Sequence, residues 1–227
     1  MNDKDLAECV KSAYHMLNLV RIDKGSLVLY DGWDLENILY GEDPDGMRPF
    51  GAVFTYKETT IVAFRGTEAW SEWYTDAEME LVKPSNGVGL VHKGFLDLYN
   101  SLVDKNENSD WRASIKARNA YITGHSLGAA LATFTALDVN SRMLTTFGSP
   151  KCGDQEWATK ASESLGFSKR YVSKFDPVPM LPLSTWHVNF QHICPQTLIY
   201  DKDNMILAPA QNHSLDRYIE LVGNVVP

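Results

Sequence analysis

The chain has 227 residues, 44% of them hydrophobic and 22% charged, which is ordinary for a globular protein with a sizeable core. A formal net charge of −8 argues against nucleic acid as a partner. Three irregularly spaced cysteines (Cys9, Cys152 and Cys194) favour buried free thiols over a disulfide framework or a zinc site, although one disulfide stays open.

The start of the chain and its hydropathy bear on location. The first ten residues lack the basic and apolar regions of a signal peptide, and no apolar run reaches about 18 residues. We therefore expect no transmembrane segment and, by default, a cytoplasmic location. Secretion by another route or of a processed chain stays open.

The first half of the chain predicts one helix followed by β-structure. Residues 3–20 place an apolar stripe at helical spacing, made of Leu6, Val10, Ala13, Tyr14 and Leu17. The elements expected after it are a short strand at 27–30, a loop at 41–49, a hairpin of 50–56 and 59–64, a helix at 69–80, a loop at 83–89, and helices at 94–103 and 111–118.

The second half alternates between strands and helices. Strands are predicted at 120–123, 142–147 and 169–175, helices at 127–139 and 155–165, edge strands at 188–194 and 198–200, and a closing helix at 214–223. This alternation predicts an α/β fold in which a mostly parallel sheet is covered by helices on both faces. No linker or repeat interrupts residues 1–227, which we expect to form a single domain.

The motif that carries chemistry is Gly124-His125-Ser126-Leu127-Gly128. It follows a predicted strand and opens a predicted helix, as a nucleophile elbow requires. The glycines let strand and helix approach closely, and the helix N-terminus favours a developing oxyanion. The alternative is a serine that only caps a helix; the strand–turn–helix context favours the nucleophile.

A serine nucleophile needs a base, and in this order of elements the base is a histidine near the end of the chain. Three histidines follow Ser126. His213 lies in a loop before the last helix and is favoured, whereas His187 and His192 lie in or beside predicted edge strands and are expected to be structural.

The carboxylate that orients the histidine should follow a strand after the elbow strand. Asp176 ends the predicted strand 169–175 and precedes Pro177-Val178-Pro179, a stiff turn that would hold a carboxylate in place. The competing carboxylates are Asp154, Asp201 and Asp203. One oxyanion donor would be the N–H of Leu127, and Thr67 after the strand 59–64 is a plausible second.

Several motifs together resemble the class 3 lipases, the fungal-lipase-like family of α/β-hydrolases, in the family's order over about residues 50–220. They are Phe64-Arg65-Gly66-Thr67, Val91-His92-Lys93-Gly94-Phe95, Thr123 to Ala132, Phe147-Gly148-Ser149-Pro150, Phe175-Asp176-Pro177-Val178-Pro179, and His213 with Tyr218.

The resemblance implies an α/β-hydrolase fold, no metal or other cofactor, and hydrolysis of carboxylic esters, often of lipids. Carried over by position, Ser126, Asp176 and His213 form the catalytic triad, while Thr67 and Leu127 supply the oxyanion hole. It also makes His92 and His192 structural positions. An ester or lipid substrate and transient contact with a lipid interface are the implied partners.

In this family a lid helix follows the oxyanion loop. Here Trp70, Trp73, Tyr74 and Ala77 share one helical face in that segment, and Trp73 and Asp76 match the family's lid Trp and Asp. The alternative is a surface helix packed permanently on the core; the resemblance favours a lid.

The resemblance leaves the substrate open. A lipase acting on acylglycerols is expected; a phospholipase A1 or a feruloyl-type esterase would use the same triad. A thioesterase or peptidase, or a non-catalytic hydrolase-like binding module, would keep the fold and change the function.

Overall fold

A central β-sheet organises the protein. The structure, a computed structural model, describes residues 1–19, 32–67, 80–85, 88–104, 111–184, 189–201 and 207–222. Their strands are β1 (Asp34–Asp43), β2 (Gly46–Tyr56), β3 (Thr59–Phe64), β4 (Leu81–Val82), β5 (Val91–His92), β6 (Val103–Asp104), β7 (Tyr121–His125), β8 (Met143–Phe147), β9 (Phe167–Ser173) and β10 (Gln196–Ile199). Their helices are α1 (Asp3–Leu19), α2 (Lys93–Ser101), α3 (Trp111–Lys116), α4 (Leu127–Asp138), α5 (Gln155–Ser164), α6 (Pro209–Asn212) and α7 (Leu215–Val222), with a 3-10 turn at Val178–Met180.

Within these ranges, eight strands form one sheet in the order β10-β9-β8-β7-β3-β2-β1-β6, and β4 and β5 pair separately. The strands from β3 to β10 along this order run parallel, whereas β2, β1 and β6 are added antiparallel. The predicted α/β fold with a mostly parallel sheet is confirmed.

The core lies on both faces of the sheet. On one face α2, α3, α4 and α5 bury a cluster that includes Phe95, Trp111 and Trp157; on the other, α1 and α7 bury Val10, Phe147 and Tyr218. Nearly every residue of α4 is buried, because this alanine-rich helix packs closely against the strands that flank it.

The predicted loop at 41–49 is wrong, because most of this segment belongs to β1 and β2. A two-residue turn at 44–45 joins them, and the Asp43 carboxylate accepts a hydrogen bond from the N–H of Asp45 at 2.9 Å. Gly41 is packed under α2, where a Cβ atom would meet the side chain of Leu98 at 2.9 Å. Pro49 sits beside a register shift in the β1–β2 ladder. The glycine and the proline therefore serve packing and a bulge.

The predicted edge strand at 188–194 is also wrong in the part that the structure describes. Residues 189–194 form one isolated bridge, between Gln191 and Gly153. The backbone of this segment instead bonds to a side chain: the carbonyl of Cys194 accepts a hydrogen bond from Arg170 Nε at 3.1 Å. The edge position beside β9 belongs to β10, near the second predicted strand. The strand predicted at 27–30 and almost all of the helix at 69–80 lie outside the described residues.

No helix in the described ranges has both the length and the apolar character needed to cross a bilayer.

His92 shows how burial makes stability depend on pH. It caps α2, stacks on Phe95 at 4.2 Å between ring centroids, and is only 1% exposed. Burial lowers its pKa from 6.5 to about 4, so the folded protein resists a proton that the unfolded chain accepts near pH 6.5.

We expect the free energy of unfolding to fall as pH drops from 6.5 towards 4, and His92 contributes up to about 1.4 kcal/mol per pH unit to this fall. The contribution of His92 does not change with pH well above 6.5. Urea unfolding of the wild type and His92→Asn at several pH values measures this. Asparagine can still cap the helix; equal slopes in the two proteins would contradict the expectation.

Candidate active site

The functional side chains gather where parallel strands end. The strands β3, β7, β8 and β9 are neighbours, and the segments that follow them carry Thr67, Ser126, Gly148 and Asp176. Because the carboxyl ends of parallel strands meet at one edge of a sheet, residues distant in sequence come together there.

Ser126 forms a sharp turn between β7 and α4. Its backbone has φ 57° and ψ −131°, a strained conformation for a residue with a side chain. The turn is held on both sides: the N–H of Ser126 donates to the carbonyl of Phe147 at 3.0 Å, and its carbonyl accepts from the N–H of Ala129 at 2.8 Å. This geometry places Ser126 directly before the first residue of α4.

Glycines around the turn let backbone segments touch. A Cβ atom at position 66 would lie 2.7 Å from Cβ of Ser126, and one at position 128 would overlap the carbonyl oxygens of Phe64 and Arg65. Gly148, with φ 59°, faces Asp176 Oδ2 in the same way. Glycine at these positions is therefore a steric requirement of the site.

Gly128→Ala should be clearly destabilising because backbone atoms, not flexible side chains, stand in its way. We expect a loss of about 1–3 kcal/mol or more in the free energy of unfolding, measured by urea denaturation. Gly166→Ala is the matched control, since its Cβ would meet the Arg142 side chain only at 3.4 Å or beyond. It should be neutral or slightly stabilising; equal losses in both variants would contradict this explanation.

Ser126, His213 and Asp176 form one hydrogen-bonded chain. His213 Nε2 lies 2.8 Å from Ser126 Oγ, and His213 Nδ1 lies 2.8 Å from Asp176 Oδ2. All three residues are buried; Ser126 has no exposed surface at all. A carboxylate only accepts, so Nδ1 carries the proton and Nε2 is free to accept the proton of Ser126.

Further donors hold the carboxylate of Asp176. The N–H of Val178 donates to Oδ1 at 2.9 Å, and the hydroxyl of Tyr218 donates to Oδ2 at 2.6 Å. The same hydroxyl accepts from the N–H of Ser173 at 3.0 Å. Burial, with the nearby Asp176, raises the pKa of Tyr218 well above its ordinary value, so this group remains a donor. Asp176 is thus oriented from three sides.

The two predicted oxyanion donors lie beside Ser126. Leu127 is the first residue of α4, where backbone N–H groups have no partner within the helix. Thr67 follows Gly66, which packs against Ser126, and it borders the same cavity as His213.

This cavity has a volume of about 380 Å³. Among the described residues it is bordered by Lys11, Tyr14, His15, Thr67, His125, Ala210, His213, Ser214, Leu215 and Asp216. Its wall mixes side chains of α1 with those at the start of α7, and Lys11 pairs with Asp216 at 2.7 Å. The cavity next to His213 therefore has a polar rim, formed by Lys11, His15, Ser214 and Asp216.

The other candidates lie away from this chain of hydrogen bonds. Asp154 caps α5 by accepting from the N–H of Trp157 at 2.8 Å, and Asp201 pairs with Arg217. His192 donates from Nε2 to the carbonyl of Pro179 at 2.7 Å. Asp203, His187 and the predicted lid residues Trp70, Trp73, Tyr74 and Asp76 lie outside the described residues.

Within the described residues, no three His, Cys, Asp or Glu side chains are grouped so that they could hold a metal ion.

The sequence reasoning missed the roles of three side chains at this site. Tyr218 holds Asp176, and His125 and Tyr14 are hydrogen-bonded to each other at 2.8 Å behind His213. Tyr14 is part of the apolar stripe that predicts α1, and that pattern does not indicate a hydrogen bond to a histidine. His125 occupies the variable position directly before Ser126 in the Gly-x-Ser-x-Gly motif, and this position is the one signal in the sequence that it lies at the site.

Comparison with known proteins identifies the family. The sequence pattern of Lipase (class 3) matches residues 61–186, more than half of the chain. A secreted mono- and diacylglycerol lipase A of Penicillium cyclopium is 28% identical over 181 residues, covering 76% of this chain and 58% of that protein. Phospholipase A1-II 3 of Oryza sativa subsp. japonica is 29% identical over 209 residues, covering 72% and 48%. The chain thus spans about half the length of the curated relatives it matches.

One solved structure is that of a triacylglycerol lipase whose catalytic centre is described as a serine protease triad. It superposes with a TM-score of 0.65 at 26% identity, covering 88% of this chain and 78% of that one. The expected cytoplasmic location is wrong, because the Penicillium relative is a secreted protein. The fold, the order of the motifs and the sequence match agree, and the chain belongs to the class 3 lipase family.

Proposed function

We propose that the protein is a serine hydrolase of carboxylic esters, and that acylglycerols are its substrates. The observation that carries the proposal is the continuous chain of hydrogen bonds from Ser126 through His213 to Asp176 at the N-terminus of α4. It contains a nucleophile, a base and an orienting carboxylate at hydrogen-bonding distance, which is the arrangement that acyl transfer needs.

In the first step His213 Nε2 takes the proton of Ser126 as Oγ attacks the ester carbonyl. The negative charge that develops on the carbonyl oxygen is stabilised by the N–H of Leu127 and by Thr67. The Nδ1 proton stays on His213 and is donated in a hydrogen bond to Asp176 Oδ2, which stabilises the imidazolium. His213 then gives its proton to the leaving alcohol, and the C–O bond of the ester breaks.

The second step is the reverse with water. His213 removes a proton from water, the hydroxide attacks the acyl-enzyme, and the acid is released as His213 returns the proton to Ser126 Oγ. Both steps need the ring of His213 within reach of the departing or attacking oxygen. The cavity beside His213, with its polar rim, has room for the alcohol portion of such a substrate.

The relatives support the choice of substrate. The Penicillium relative is a mono- and diacylglycerol lipase, and the rim of Lys11, His15, Ser214 and Asp216 suits a hydroxyl-bearing alcohol such as glycerol. The rice relative is a phospholipase A1, which makes phospholipid ester hydrolysis the second candidate. Since the Lys11 charge is paired with Asp216 rather than left for a phosphate, we favour the neutral acylglycerol.

The test is a series of p-nitrophenyl esters from C2 to C16, with and without detergent, followed by monoacylglycerol, diacylglycerol and phosphatidylcholine in matched micelles. We expect acylglycerols to be cleaved faster than phosphatidylcholine. Because Ser126 is fully buried, we also expect activity to rise above the critical micelle concentration. Faster cleavage of phosphatidylcholine would show that phospholipids, rather than acylglycerols, are the substrates. Failure of a fluorophosphonate probe to label Ser126 would favour a non-catalytic binding module.

A further inference from the structure

We propose that His125 is a positioning residue for His213, and that Tyr14 holds it in the one tautomer that can do this. The inference rests on the proposed function, since it assigns residues that act through the base. Neither residue is a candidate nucleophile, base or oxyanion donor.

The hydrogen bonds define the tautomer of His125. Its Nε2 lies 2.8 Å from the backbone carbonyl of His213, and a carbonyl can only accept, so Nε2 carries a proton. In a neutral imidazole Nδ1 must then accept. The hydroxyl of Tyr14 lies 2.8 Å from Nδ1 and donates to it. The order is therefore Tyr14 O–H to Nδ1, and Nε2–H to the carbonyl of His213.

His125 is held neutral by its surroundings. It is only 3% exposed, and burial together with the neighbouring His213 lowers its pKa well below 6.5. The titratable groups that face it are Tyr14 from α1, His213 from the end of α6, and the ring of Tyr218 from α7 at 5.6 Å. Behind His213 stands Asp176. Among the residues that the structure describes, no carboxylate is hydrogen-bonded to His125 to favour its charged form.

Neutrality matters because the two imidazole rings are stacked. Their centroids are 4.7 Å apart with an interplanar angle of 30°. When His213 becomes an imidazolium during catalysis, a neutral ring at this distance is compatible with the new charge, whereas a protonated His125 would repel it. His125 can thus support the charged intermediate only in its neutral form.

The contact with His125 completes the restraint of His213. The N–H of His213 donates to the carbonyl of Pro209 at 3.0 Å, its Nδ1 is bonded to Asp176, and its Nε2 to Ser126. The carbonyl is the remaining polar group, and His125 binds it. Loss of that bond would let the residue shift relative to Ser126, and a misplacement of about 1 Å at a reacting group can cost on the order of 10²-fold in rate.

Two substitutions distinguish the donor at Nε2 of His125 from the acceptor at Nδ1. Glutamine places an amide N–H near the position of Nε2, so His125→Gln keeps a donor for the carbonyl of His213. Asparagine places a carbonyl oxygen near Nδ1, so His125→Asn keeps the acceptor for Tyr14 and loses the donor. We expect His125→Gln to retain kcat within about fivefold, and His125→Asn to lose on the order of 10²-fold in kcat with KM changed less than about threefold.

One further variant tests the hydrogen bond from Tyr14 to His125, and another is a control at a histidine away from the triad. Tyr14→Phe should lower kcat by about tenfold, since Nδ1 loses its donor and the other tautomer becomes accessible. His92→Asn replaces a buried histidine away from the triad and should leave kcat unchanged at neutral pH. Equal kcat values for the Gln and Asn variants would overturn the proposal, since a merely structural role does not distinguish the two amides.

A direct readout that needs no activity is long-range ¹H–¹⁵N NMR of the wild type labelled with ¹⁵N-histidine. We expect His125 to carry its proton on Nε2 and to be neutral at pH 7. A proton on Nδ1, or a doubly protonated ring at pH 7, would overturn the proposal even if all variants misfold. If the expected tautomer is found while Ser126 proves dispensable for hydrolysis, the proposed function fails and the tautomer assignment stands.

Discussion

Ser126→Ala is expected to lower kcat for ester hydrolysis by about 10⁶-fold, because it removes the hydroxyl that is hydrogen-bonded to the base, His213 Nε2. Cβ of Ser126 packs against Gly66, and its hydroxyl is hydrogen-bonded to His213 Nε2. Removing one oxygen atom therefore leaves the turn, the helix and the stacked histidines in place. The loss should appear in kcat with an unchanged melting temperature, within a few degrees.

The measurement is p-nitrophenyl butyrate hydrolysis together with fluorophosphonate labelling. Ser141→Ala is a suitable control, because Ser141 is also buried but hydrogen-bonds Ala120 at the opposite end of the sheet. It should lose some stability and keep its kcat. An alanine variant at 126 that retains more than a hundredth of the activity would show that the nucleophile lies elsewhere.

Asp176→Asn is expected to lower kcat by about 10⁴-fold through the tautomer of His213. Both carboxylate oxygens are acceptors here: Oδ1 for Val178, and Oδ2 for Tyr218 and His213. An amide has one oxygen, so its NH₂ group must face at least one of these donors. If it faces His213, Nδ1 becomes the acceptor and Nε2 carries the proton, which leaves no base for Ser126.

The matched control is Asp154→Asn. This carboxylate caps α5 and competed with Asp176 in the sequence reasoning; asparagine caps a helix equally well. Activity and melting temperature should both stay near the wild-type values. A loss below tenfold in Asp176→Asn, or a similar loss in both variants, would contradict the role proposed for Asp176.

The sequence allowed the site to be anticipated wherever position along a strand determines position in space. Ser126 and Asp176 each follow a strand of a parallel sheet, so their shared edge could be predicted from the alternation of strands and helices. His213 could be chosen because it precedes the last helix. The structure brings these three side chains together.

The sequence did not reveal contacts that depend on packing between distant segments. Tyr14 and His125 are 111 residues apart, and nothing in the periodicity of α1 distinguishes a tyrosine that bonds a histidine from one that fills a core. The strand β1 was missed for a related reason. Its glycine and acidic residues are typical of loops, and the side chains of Leu98, Leu102 and Phe50 that crowd Gly41 explain a glycine within a strand.

The position of Tyr14 on α1 links the first helix, through His125, to the hydrogen-bonded chain of His213, Ser126 and Asp176. Heating or denaturant that frees α1 from the sheet would remove the donor to His125 while the parallel strands and their helices are still intact. Inactivation would then precede global unfolding, and residual activity would measure the docking of one helix rather than the integrity of the whole chain.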